Sequence, residues 1–160
     1  MELLKRSWGG KVAVVDDGID PNHNDLKENF HSLSFDGKSG TSPSVFISNY
    51  NHGTHVAGTI AAVQNNLQVV GVAPESKILR VSNDLSYSTT LSAELASGIS
   101  WAWNQGGADV INCSWGDQGG NYNLHSAALE NAIVNALSLG RNNKGSIVVF
   151  AAGNYGHVSI

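Results

Sequence analysis

Residues 11–18 read Lys-Val-Ala-Val-Val-Asp-Asp-Gly (KVAVVDDG). A short apolar run rich in β-branched residues, stopped by acids and a glycine, is the pattern of a strand buried on both faces. Similar runs follow at 77–81 (KILRV), 109–114 (DVINCS) and 145–152 (GSIVVFAA). Helical patterns separate them. Residues 52–63 (HGTHVAGTIAAV) place Val56, Ile60 and Val63 on one face, and residues 91–105 place Leu91, Leu95, Ile99 and Ala102 on another. Residues 125–139 carry Ala128, Leu129, Ala132, Ile133, Ala136 and Leu137 on one side and stop at Gly140. Strands alternating with helices of this length predict an α/β fold with a parallel sheet and right-handed crossovers. Residues 19–50 lack periodicity and read as irregular connection, long enough that such a loop is functional or hides a short element.

Composition narrows the function classes. Of 160 residues, 41% are hydrophobic and 14% charged, enough apolar material for a core and too much for a disordered chain. The net charge is −4 and no basic run exists, which argues against a nucleic-acid partner. One cysteine, Cys113, excludes an internal disulfide and a thiolate-rich zinc site. No apolar stretch approaches the roughly 18 residues of a membrane span. Residues 1–11 lack the apolar core of a signal peptide. The 18 Gly and 17 Asn predict many tight turns.

In open parallel sheets, ligands bind beyond the carboxyl ends of the strands. Those ends carry Asp16-Asp17-Gly18, Ser82-Asn83-Asp84, Ser114-Trp115-Gly116 and Ala152-Gly153-Asn154, and His52 opens the helix expected on the same rim. An acid orienting an imidazole is the supporting half of a nucleophilic triad, and an asparagine side chain can donate to a developing oxyanion. Taken singly, each residue also has an ordinary reading as a turn, cap or tolerated helix-start residue. Other chemistries fit parts of the set. His52, His55 and Asp16 could hold zinc; paired acids after a first strand suit a magnesium-dependent phosphoaspartate site; a non-catalytic binding module would need none of them. A dinucleotide site lacks its G-x-G-x-x-G turn.

Five segments, VAVVDDGIDPNHNDL, NHGTHVAGTIAAV, NNLQVVGVAP, DVINCSWG and IVVFAAGN, resemble in order the characteristic segments of subtilisin-like serine proteases. The resemblance covers residues 11–154 and implies a three-layer, doubly wound, mostly parallel sheet with helices on both faces, incomplete at its C-terminus. It implies Asp16 as triad acid, His52 as triad base and Asn154 as oxyanion donor. Ser114, Trp115 and Gly116 would pair with extended polypeptide substrate and border its P1 pocket. Ala151, Ala152 and Gly153 would form the opposite wall, with residues 88–92 at the far edge of the cleft. It further implies a structural calcium ion held by Asp25, Asn65 and carbonyls near Val63, Leu67 and Val69.

The pair Asp16-Asp17 and the SWG segment are similar to the kexin branch, in which the second acid faces a basic P2 side chain; Asp17 is the matching residue. Gln118-Gly119-Gly120 lacks the acid pair of that branch, so a modest basic preference is expected rather than strict dibasic specificity. The family's nucleophile sits in a Gly-Thr-Ser-Met-Ala segment that these 160 residues do not contain; Ser159 follows Asn154 without that setting, and Gly40-Thr41-Ser42 runs into a proline. Residues 1–160 are therefore expected to be part of one catalytic domain, truncated before its nucleophile and inactive alone. The parent is expected to be secreted or cell-surface and made with a prodomain.

Overall fold

The computed structural model describes residues 9–49, 51–67, 69–117 and 124–154. The readings made of residues 118–120 and of Ser159 lie outside these. Five strands form one sheet: β1 (Lys11–Asp16), β2 (Phe30–Asp36), β3 (Lys77–Ser82), β4 (Val110–Cys113) and β5 (Ile147–Phe150). Their order is β2-β3-β1-β4-β5 and every pairing is parallel. The helices are α1 (His52–Ala61), α2 (Leu91–Asn104) and α3 (Ala127–Asn143).

The apolar runs divide between two cores because successive strand residues face opposite ways. Ala13, Val15, Leu79, Val81, Ile111 and Cys113 pack beneath α2 and α3. Val12, Val14 and Ile78 pack beneath α1, whose small residues Ala57 and Ala61 let it lie close. Helices therefore cover both faces, and the doubly wound α/β architecture stands.

Two expectations are corrected. The connection after β1 is not wholly irregular, since it contains β2. This strand lies at the sheet edge and only its last three residues, Ser34, Phe35 and Asp36, are buried. Two of those are polar, and the short alternation Ser-Leu-Ser-Phe-Asp over residues 32–36 marks a face on which Leu33 is exposed and only Phe35 is buried. The crossovers are also not all of one hand. The steps β2 to β3, β3 to β4 and β4 to β5 run the same way across the sheet, yet α1 lies on the face opposite α2 and α3. The β2–α1–β3 connection therefore has the opposite hand to the other two, an uncommon arrangement. It puts the start of α1 beside the carboxyl end of β1.

Helix α3 starts at a Ser126 cap, whose hydroxyl accepts the Leu129 N–H, and its regular turns end at Gly140.

Candidate active site

Strand β1 ends at Asp16, Asp17 follows it, and both acids meet the first turn of α1. Asp16 is fully buried; its Oδ1 lies 2.8 Å from His52 Nδ1 and also accepts the Asp17 N–H at 2.9 Å. Its Oδ2 is buried without a hydrogen-bond partner among the described residues. Burial pushes the Asp16 carboxyl above its ordinary range, and the bond to His52 pulls part of that back. The same bond raises His52 above the usual imidazole value, against a smaller opposing effect of desolvation. The imidazole is about half exposed. With Nδ1–H committed to Asp16, the neutral ring keeps an unprotonated Nε2 as its basic atom.

His52 borders a cleft of about 410 Å³. Ser114, Trp115 and Gly116 stand along one side, with Ala151, Gly153 and Asn154 along another. Val56, Leu85, Leu91, Leu95 and Leu124 supply its apolar lining. The walls part where pairing stops. The β4–β5 ladder ends at Cys113↔Phe150, with one last bond from the Ala151 N–H to the Cys113 carbonyl. Trp115 is anchored at the divergence: its indole N–H donates to the Val15 carbonyl at 2.9 Å, and its ring meets Phe150 edge-on at 5.3 Å between centroids. It thus packs against the core and lines the cleft at once.

The structure brings together most of the residues singled out in the sequence. Asp16 and His52 are bonded; His52 and Asn154 line one cleft with Ser114, Trp115, Gly116 and Gly153. Ala152 is exposed between two lining residues without lining the cleft itself. Of residues 88–92, Leu91 alone reaches it, while Ser92 turns to the Leu124 carbonyl and the Ser126 hydroxyl. Asp17 does not line it; its carboxylate lies on the backbone of α1. Leu85 carried no sequence signal, being a loop leucine. Its backbone is left-handed, with φ of 53°, and is held by the Asn83 side chain, which accepts the Leu85 N–H at 2.8 Å.

On the other side of the 17–29 connection, Asp25 is buried at 2% exposure. Its Oδ1 accepts the Asn65 side-chain N–H at 2.8 Å and its Oδ2 the Val69 N–H at 3.3 Å, while its carbonyl accepts the Val63 N–H at 2.9 Å. Leu67 borders the adjoining cavity of about 270 Å³. The five expected ligand residues are thus gathered at one place. Among the described residues no cationic side chain pairs with Asp25. Asp25 and Asn65 bring one carboxylate and one amide, oxygen donors of the kind calcium takes once Asn65 turns its oxygen inward; Val63 and Val69 meet Asp25 through their N–H groups, and Leu67 donates its N–H to Asn65 Oδ1 at 2.8 Å. For zinc the outcome differs: among the described residues no cluster of three His, Cys, Asp or Glu could hold a metal.

Residues 8–159 match the subtilase family, peptidase S8. The chain is 40% identical over 158 residues to a dibasic-processing endoprotease of Yarrowia lipolytica, covering 93% of this chain and 15% of that enzyme. It is 42% identical over 149 residues to subtilisin DY of Bacillus licheniformis, covering 91% of this chain and 47% of that enzyme. Among solved structures, fervidolysin from Fervidobacterium pennivorans, described as a keratinolytic enzyme related to subtilisin, superposes with a TM-score of 0.68 at 30% identity, over 96% of this chain and 22% of that one. The chain therefore spans less than half the length of these relatives. By motif order, sheet architecture and the matched span, the chain belongs to the subtilase family.

Proposed function

We propose that this chain carries the acid–base half of a serine endopeptidase site. The observation that supports it is the 2.8 Å bond between His52 Nδ1 and buried Asp16 at the border of a cleft. Asp16 fixes the tautomer and offsets the charge of the imidazolium. Nε2 takes the proton of a serine hydroxyl as that oxygen attacks the peptide carbonyl, then returns it to the leaving amine. The Asn154 amide donates to the oxyanion. Residues Ser114–Gly116, which follow the last β4 ladder pair at Cys113, accept extended polypeptide as an added strand, with the apolar lining taking a side chain. Ala151 and Gly153 belong to the facing wall.

The nucleophile, in this reading, comes from a segment outside residues 1–160, and the 160-residue chain alone is inactive. Secretion or cell-surface exposure and maturation from a prodomain belong to the same proposal. A fluorophosphonate probe tests it. In the complete gene product one serine outside residues 1–160 should be labelled in the folded state, and the 160-residue chain should stay unlabelled. No labelling of the complete product would leave a non-catalytic binding module, and labelling of the short chain would refute the assignment of the missing nucleophile.

Calcium at Asp25 and Asn65, with carbonyls near Val63, Leu67 and Val69, is proposed as a structural ion. A ligand that binds only the folded state stabilises it by about 2.7 kcal/mol at a hundred times its Kd. Thermal unfolding with calcium against chelator should show that gain, and Asp25→Asn should remove it; identical melting curves would discard the site.

A further inference from the structure

Helix α1 starts without a cap of its own, since the side chain of its N-cap residue, Asn51, makes no capping hydrogen bond. The first amides of a helix need acceptors, and their partial positive charge favours an anion. Asp17 supplies both from the neighbouring strand end. Its Oδ2 accepts the His52 N–H at 3.2 Å and its Oδ1 the Gly53 N–H at 2.7 Å. The two successive acids of β1 thus grip one residue twice: Asp16 holds the ring of His52 and Asp17 holds its backbone. The turn between them is braced in return, as the Asp20 N–H donates to Thr54 Oγ1 at 3.0 Å.

We propose that Asp17 is a positioning residue for His52, a proposal that rests on the acid–base reading above. Capping from β1 fixes where the first turn of α1 stands, and so where the imidazole meets both Asp16 and the cleft. This differs from a direct contact with a basic P2 side chain. Asp17 borders a separate cavity of about 150 Å³ together with Asp36, Lys38 and Asp84. Its two oxygens already serve the helix. A displaced general base costs turnover rather than substrate affinity, and does so whatever side chain occupies P2.

The test compares Asp17→Ala and Asp17→Asn with the wild type. Turnover is measured on the complete enzyme with two peptides differing only in Lys or Leu at P2. Amide hydrogen exchange at His52 and Gly53 is measured on the 160-residue chain. Asp17→Ala should lower kcat by about 10- to 100-fold, equally for both peptides and with little change in KM, because small misplacements of a reacting group cost that much. Exchange at the two amides should accelerate. Asp17→Asn keeps one carbonyl acceptor and should recover part of both effects. A loss confined to the Lys peptide and carried by KM would overturn the proposal in favour of a P2 contact. Unchanged exchange in Asp17→Ala would overturn it whatever the kinetics. A wild-type enzyme that cleaves neither peptide would instead sink the acid–base reading, while the exchange data would still decide whether Asp17 holds the helix.

Discussion

Asp16→Asn should lower turnover of the complete enzyme by about 10⁴-fold, with little change in KM, since this is the scale seen when a triad acid becomes an amide. The reason lies in the two ring nitrogens. As a carboxylate, Asp16 accepts from Nδ1–H and leaves Nε2 free to take a proton. An asparagine can present its N–H to Nδ1 instead, favouring the other tautomer and blocking the base. It also removes the charge that offsets the imidazolium. The substitution is nearly isosteric, so the fold should survive the loss of the one bond that Oδ1 accepts from the Asp17 N–H. A loss of less than about tenfold would mean that Asp16 does not orient the base.

Gly53→Ala should be the most damaging single methyl in the site. A Cβ at residue 53 would lie 2.4 Å from the Gly18 carbonyl oxygen, 3.0 Å from Asp16 Cβ and 3.0 Å from Asp17 Oδ1. Two of these neighbours cannot move cheaply, one being backbone and the other a side-chain stem at the end of a buried strand. Gly18 is itself fixed, with φ of 110° and the Val45 carbonyl 2.5 Å from where its own Cβ would stand. The helix start must therefore retreat from β1. Overpacking of this kind costs about 3 kcal/mol, and the shift of His52 should cost about 10²-fold in turnover. Chemical denaturation and steady-state kinetics check the two parts. An unchanged midpoint with unchanged kcat would show that the approach of α1 to β1 is looser than described. Gly58, on the same helix with no atom within 4 Å of its would-be Cβ, is the control: Gly58→Ala should be neutral or stabilising.

How much of this was legible in the sequence follows from where the information sits. β1, β3 and β4 are central strands, and their apolar runs announce them. The two acids after β1 and the histidine opening α1 are adjacent to clear element ends, so the rim rule alone places them together. β2 is hard to read because its alternation spans only Ser-Leu-Ser-Phe-Asp, at residues 32–36, inside a long polar segment, and its buried end is two-thirds polar. The carboxylate of Asp36 is shared between a local partner, the Ser39 N–H at 2.9 Å, and a distant one, the Ser82 hydroxyl at 2.9 Å. The hand of the α1 crossover was missed because a prior favouring right-handed connections overrides anything local. The work of Asp17 was missed for a different reason. Resemblance to the kexin branch implies a substrate contact, whereas its bonds run to residues 35 and 36 positions away. The apolar lining of the cleft was half legible. Leu91 and Leu95 belong to a periodic stripe, but Leu85 depends on a left-handed turn that no pattern foretells.

The site also carries a pH signature. Both Asp16 and His52 hold their protons more tightly in the folded protein than their ordinary values imply. Stability from such a group is full below its unfolded value and is lost as pH rises through its folded one. The stabilising share of His52 is therefore complete below about pH 6.5 and fades as pH rises through the raised folded value. For Asp16 the corresponding loss begins lower, as pH rises above the ordinary carboxylate value of about 3.8. Removing the acid by Asp16→Asn should flatten the fall in melting temperature between mildly acidic and mildly alkaline pH.

The most direct test of the central claim is an NMR titration of the His52 ring in the 160-residue chain, with and without Asp16→Asn. The bond between the two side chains predicts a midpoint above the usual imidazole value of about 6.5, returning toward it in the variant. A ring that titrates at the ordinary value and ignores the substitution would contradict the pairing of Asp16 with His52, and with it the reading of this cleft as a peptidase site.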